Sequence, residues 1–161
     1  MLMEKTEELG KMLFHIARLH ATRADQCMDK IDLFRGQGML LKFIDRHDGL
    51  THSEIAAKLN ISPAAVTKVI KRLEEQKYLM RKKDPVDERI SRVYIQEEGK
   101  KVADEIGRNF EQLGRSTFQG FTDEELDQLQ SYFLRIQANL QNNFSEPILV
   151  ERRHPGFHRN L

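Results

Sequence analysis

Apolar residues return along the first thirty positions at intervals of three and four: Leu9, Met12, Leu13, Ile16, Leu19 and, further on, Met28. That spacing lays them on one stripe and predicts an amphipathic helix over residues 4 to about 30. Met39, Leu40, Phe43 and Ile44 repeat the pattern, predicting a second helix over residues 34–47 that Asp48-Gly49 ends with turn chemistry. Thr51-x-x-Glu54 then opens a short helix as a capping box, the Thr oxygen accepting from the third helical amide and the Glu reaching back. Ile55, Ala56 and Leu59 form its apolar side, and it stops at Asn60. Ser62 supplies the next N-cap and Pro63 a first helical residue with no amide to lose. Two helices therefore meet across a turn of about three residues, the helix-turn-helix order.

The second of these helices divides by face. Val66, Val69, Ile70 and Leu73 cluster on one side, at about 100° per residue. Ala64, Lys68, Lys71 and Glu75 fall opposite, with Thr67 and Arg72 on the flanks. Residues 78–81 and 93–95 then read as two short strands joined by the charge-dense loop "DPVDER". Helical spacing resumes from residue 97 to about 120 with Val102, Ile106, Phe110, Leu113 and Phe118. Gly107 and Gly114 interrupt it on a shared face, where close packing against another helix is expected. A second capping box, Thr122-x-x-Glu125, starts a last helix carrying Leu126, Leu129, Tyr132, Phe133, Ile136, Leu140 and Phe144. The final residues, "SEPILVERRHPGFHRNL", show no period. They are a disordered tail or, given Ile148, Leu149 and Val150, an arm lying on a neighbour.

Composition narrows the classes. In 161 residues, 39% are hydrophobic and 32% charged, a globular balance with much exposed helix surface. No run approaches the ~18 apolar residues of a bilayer span, so no membrane partner is expected. The acidic start "MLMEKTEELGK" does not read as a signal peptide. One cysteine, Cys27, excludes an internal disulfide framework and suits a reducing cytoplasm. The net charge of +1 hides a basic centre: from Ser62 to Arg92 there are nine bases against five acids. A local anionic partner fits that distribution. Phosphate loops, HExxH and nucleophile elbows are absent, so no enzyme activity and no cofactor are expected.

The segment "LTHSEIAAKLNISPAAVTKVIKRLEEQKYLMRKKDPVDERISRVYIQEEGKK" resembles the central region of MarR-family transcription regulators. "ISPAAVTKVIKRLE", the strand ending in Arg81, and "DPVDER" leading to Gly99 carry the likeness, and the flanking helices match in length and position. The resemblance implies a mainly α fold with a small β wing, a winged helix-turn-helix flanked by N- and C-terminal dimerisation helices. The expected division is a dimerisation helix in 1–32, the winged helix in 33–96, further dimerisation helices in 97–144, and a tail or arm in 145–161. A homodimer on double-stranded DNA is implied, with recognition helices in major grooves and wings in minor grooves. A small-molecule effector bound in the cleft between the two regions would weaken DNA binding. Two positions depart from the family: Lys77 stands where it usually has Gly, and Gln96 where it usually has Thr.

Expected DNA contacts follow from residue chemistry. Ser62 and the free amides at the helix start suit a phosphate oxygen. Ala64 and Ala65 permit close approach and can meet a thymine methyl, while Thr67 and Lys68 face base edges and Lys71 an edge or a phosphate. Arg72, on the flank of that helix, is a further candidate for DNA contact, and Lys82, Lys83 and Arg92 are candidates for phosphate contact or merely solubilising. Arg89 is the candidate for minor-groove insertion, with Asp87 as its brace. Leu9, Met12, Leu13, Ile16, Leu129, Phe133, Ile136, Leu140 and Phe144 are expected at the dimer interface, because one thin winged helix cannot cover them. His15 and Phe110 are guesses for the effector cleft. Cys27 reads as an inert buried thiol, since no neighbouring base or helix N-terminus would lower its pKa. The six histidines show no convergent ligand set, so no metal is expected. The alternatives are a winged helix used only for protein association, and a redox or zinc sensor of this fold.

Overall fold

A computed structural model describes residues 2–143. Its elements run α1 (Leu2–Asp29), α2 (Arg35–Arg46), β1 (Leu50–Thr51), α3 (His52–Leu59), α4 (Pro63–Glu75), β2 (Leu79–Lys83), β3 (Ser91–Ile95), α5 (Glu97–Thr117) and α6 (Asp123–Asn142). The three strands form an antiparallel sheet in the order β1-β3-β2. Arg81 pairs with Val93 and Lys83 with Ser91, while β1 closes the sheet's other edge through Leu50 opposite Val93.

Local chemistry sets the helix ends. Thr51 Oγ1 accepts from the Glu54 amide at 3.2 Å and Glu54 accepts from the Thr51 amide at 2.8 Å, completing the capping box of α3. Thr122 and Glu125 make the same pair at 3.3 and 2.9 Å. Asn60 ends α3 in the left-handed region, φ 52°, which its short polar side chain tolerates. Ser62 Oγ then caps α4 by accepting from Ala65 at 3.2 Å. At the far end of α4, Lys77 takes φ 60° where glycine would be unstrained.

The core lies where α2, α3, α4 and the sheet meet α5. Leu40, Leu41, Ile44, Ile55, Val66, Ile70, Leu73 and Val93 are fully enclosed there, and Met28 joins them from the last turns of α1. The apolar sides expected of α3 and α4 are thus the buried ones, with Val69 partly buried. Gln96, at the start of α5, caps nothing with its side chain. Its amide N–H donates to Tyr78 O at 2.9 Å and its Nε2 to Leu79 O at 2.7 Å, so it ties α5 to the root of β2. Gly99 completes this junction, since a Cβ there would lie 2.2 Å from Tyr78 O.

Three expectations need correction. The strand before the loop starts at Leu79 rather than Tyr78 and runs on to Lys83, because the ladder with β3 outlasts the apolar run. The two-residue β1 leaves no mark in the sequence pattern, since two residues show no alternation. Gly107 does face α2, with Lys42 Nζ 3.5 Å from where its Cβ would stand, but Gly114 meets nothing within 4 Å.

The first turns of α1 and the apolar side of α6 are left uncovered by the described residues. Leu9, Met12, Leu13 and Ile16 of α1 are 40–54% exposed, and Phe133, Ile136 and Leu140 of α6 are 37–45% exposed. No residue of α6 is buried, so α6 does not fold back on α1 to close a bundle within one chain. Leu129 is half-buried on the same helix. Phe144 and the tail or arm over 145–161 lie outside the described residues.

Candidate nucleic-acid interface

Helix α4 buries one side and presents the other. Ser62, Ala64, Thr67, Lys68, Lys71 and Arg72 are exposed, while Ala65 is half-buried. Neither Lys68 nor Lys71 has an ion-pair partner among the described residues, so both ammonium groups are available to an anion. Arg72 behaves differently: its guanidinium lies over the Phe34 ring, 5.0 Å from the centroid. Thr67 is also engaged, its hydroxyl donating to Pro63 O at 2.9 Å and lying 3.3 Å from His52 Nδ1.

The loop between β2 and β3 is a built structure. Asp84 is buried, and its Oδ1 accepts from the amides of Val86 and Asp87 at 2.8 and 3.1 Å. Its Oδ2 accepts from Arg92 Nε at 2.5 Å. These bonds, the Arg92 pair foremost, hold the Asp84 carboxyl at about 2, against an ordinary 3.8. Arg92 Nη1 also donates to Gly49 O at 3.0 Å and lies 3.7 Å from Glu54 Oε2. One guanidinium therefore ties the wing root to the turn before β1 and to the first turn of α3. Gly49 holds φ +80° there, with Tyr94 against it.

At the wing tip, Asp87 Oδ1 accepts from Arg89 Nε at 3.1 Å and from the Arg89 amide at 3.0 Å, and Oδ2 from Nη2 at 3.3 Å. The Arg89 side chain is 91% exposed. Its planar end is aimed by a carboxylate and otherwise open to solvent. Lys82 and Lys83 are exposed along β2, Lys82 over the Tyr94 ring at 5.3 Å and Lys83 in a loose pair with Glu88 at 3.6 Å. Arg92 stands apart from the other predicted contacts, because its donors face Asp84, Gly49 and Glu54. Sequence spacing did not reveal this: Gly49 and Arg92 are 43 residues apart.

Away from this face, a cavity of about 430 Å³ opens between α2, the end of α3 and α5. Phe110 lines it with Met39, Phe43, His47, Leu59 and Ile106, while Lys42 and Arg46 stand at its polar margin. His15 does not reach it and is exposed on α1. Cys27 is half-buried rather than buried, because it lines a second, more polar cleft with Arg23, Lys30 and Gln112 between α1 and α5. Among the described residues no three His, Cys, Asp or Glu side chains converge as a metal site. Nor is any described helix long and apolar enough to cross a membrane.

Known proteins share this fold. The MarR family model matches residues 33–91, from α2 to the start of β3. The transcriptional regulator ZitR of Lactococcus lactis is 32% identical over 136 residues, 84% of this chain and 92% of that protein. The structure of YusO from Bacillus subtilis superposes with a TM-score of 0.75 at 21% identity, covering 84% of this chain and 96% of that one. A MepR variant of S. aureus, solved bound to an oligodeoxyribonucleotide, superposes with a TM-score of 0.65 at 24% identity, covering 83% and 98%.

Proposed function

The chain belongs to the MarR family of winged helix-turn-helix regulators, DNA-binding proteins rather than enzymes, and we propose that it is a homodimeric cytoplasmic repressor whose hold on pseudo-palindromic operators a small molecule relieves. The observation that carries the DNA face is the pairing of two lysines on α4, without ion-pair partners among the described residues, with the braced, exposed Arg89 on the wing. Lys68 and Lys71 suit guanine edges and phosphates in a major groove. Arg89 suits the negative potential of a narrow minor groove beside it. Ser62 and Ala65 bring the start of α4 close to the backbone, and Lys82 and Lys83 add charge along the wing. Arg72 and Arg92 are engaged within the chain, by the Phe34 ring and by Asp84 respectively.

The dimer reading rests on the uncovered faces of α1 and α6, which a second copy would bury. Two recognition helices related by a two-fold axis read half-sites about one helical turn apart, so the operator is a pseudo-palindrome. The cavity beside Phe110 is the proposed effector site. It touches both α3 and α5, so an occupant bears on the reading unit and the dimerisation helix together.

Anisotropy titrations against a duplex selected from a random pool test the face. Binding is expected to weaken with salt by a log–log slope of roughly −0.9 per phosphate neutralised. Lys68→Ala is expected to cost about tenfold and to relax preference at one base pair. Arg89→Ala is expected to cost a similar factor, mainly by erasing preference for A·T pairs under the wing. Wild-type binding by both variants would remove α4 and the wing as the DNA face.

A further inference from the structure

His52 is the first residue of α3, yet its ring points across the turn to α4. Its Nδ1 lies 3.3 Å from Thr67 Oγ1. A hydroxyl has one proton, and Thr67 gives it to Pro63 O at 2.9 Å. Thr67 can therefore only accept from the ring, which assigns the proton to Nδ1 and leaves Nε2 with a lone pair. Among the described residues, that Nε2 is buried and meets no hydrogen-bond partner. Glu74 and Arg81, themselves paired at 2.7 Å, are the charged groups facing it. Burial first, then Arg81, lower the pKa of the imidazole against a weaker opposite pull from Glu74, which disfavours the charged ring.

Thr67 stands on the face of α4 that meets the major groove. In a helix, Thr divides between two χ1 rotamers. One bonds Oγ1 back to the carbonyl four residues earlier, as here. The two offer a base different chemistry. A free hydroxyl donates to or accepts from almost any base edge, whereas a methyl favours the thymine 5-methyl. We propose that His52 is a positioning residue for base reading: its Nδ1–H holds the Thr67 hydroxyl back against α4, so that Thr67 reads a thymine through its methyl group. The inference rests on α4 being the DNA-reading helix.

The test uses the full chain and a duplex that it selects from a random-sequence pool. Each thymine is replaced in turn by uracil, which removes only the 5-methyl group. For the wild type, one thymine per half-site is expected to lose about fourfold in affinity, the worth of one buried methyl. Thr67→Ser, which keeps the hydroxyl and drops the methyl, is expected to abolish that thymine-to-uracil ratio. Thr67→Val is expected to keep the ratio, whatever its affinity. His52→Ala is expected to lose the ratio. His52→Asn should restore it, because its Nδ2–H stands near the place of the ring Nδ1–H, and His52→Gln should not. A ratio kept by Thr67→Ser and lost by Thr67→Val would overturn the proposal without reference to how the His52 variants fold. So would a wild-type ratio in His52→Ala. A selected duplex with no uracil-sensitive position would overturn the methyl reading and leave DNA binding standing. Failure to select any duplex would remove both.

Discussion

Asp84 divides its two oxygens between jobs, one for the loop amides of Val86 and Asp87 and one for Arg92. Its folded pKa lies at about 2, below the ordinary 3.8, so the unfolded chain binds the proton more readily. Stability from this carboxylate is therefore complete above about pH 4 and is lost as pH falls towards 2. In urea titrations, the deficit of Asp84→Asn against the wild type is expected to be largest near neutrality and to shrink across that window. A deficit that persists unchanged at pH 2 would mean that the charge is irrelevant. Gly99 is held to glycine chiefly by one backbone neighbour, Tyr78 O. A methyl there would overlap a backbone carbonyl, which cannot swing aside as a side-chain end can. Gly99→Ala is expected to destabilise by about 1–3 kcal/mol, seen as a lower urea midpoint with an unchanged slope.

Among the elements, α4 joins a strong start to a strained finish. Ser62 and Pro63 set its beginning, while Lys77, two residues past its end, holds φ 60°. A left-handed non-glycine residue costs roughly 1–2 kcal/mol, and glycine returns part of that in lost chain entropy. Lys77→Gly is expected to raise stability by about 0.5–1 kcal/mol, measured as a shift of the thermal midpoint, with DNA binding unmoved. The helix ends were readable in the chain because their causes are local: Thr51 with Glu54, Ser62 with Pro63, Thr122 with Glu125. The brace of Asp87 on Arg89 was readable for the same reason. What holds these elements together was not. Arg92 to Gly49, Gly99 to Tyr78 and His52 to Thr67 join residues 15 to 43 apart or turn on a backbone carbonyl. No period along the chain records such contacts. His52 in particular looked like any helix-start residue beside Thr51.

For the whole molecule, the uncovered helices set the terms of assembly. Most helical stability in proteins comes from tertiary packing, and α6 buries no side chain within one chain. Replacing Leu13 and Phe133 together by Glu is expected to give monomers by sedimentation, with lower helicity by circular dichroism. A dimer that survived would place the interface elsewhere. The junction at Gly99 has a mechanical consequence for such a dimer. Helix α5 has 21 residues and is about 32 Å long. Its near end is clamped to β2 by the close approach of Gly99 to Tyr78 O and by the Gln96 bond to Leu79 O. The helix is thus a lever with its fulcrum under the wing. For a shaft of that length, each degree of tilt imposed there corresponds to about half an ångström at the far end. In the proposed dimer, that clamp would pass a small change in how two subunits lean together to the wing, as a change in the spacing of the two proposed reading heads.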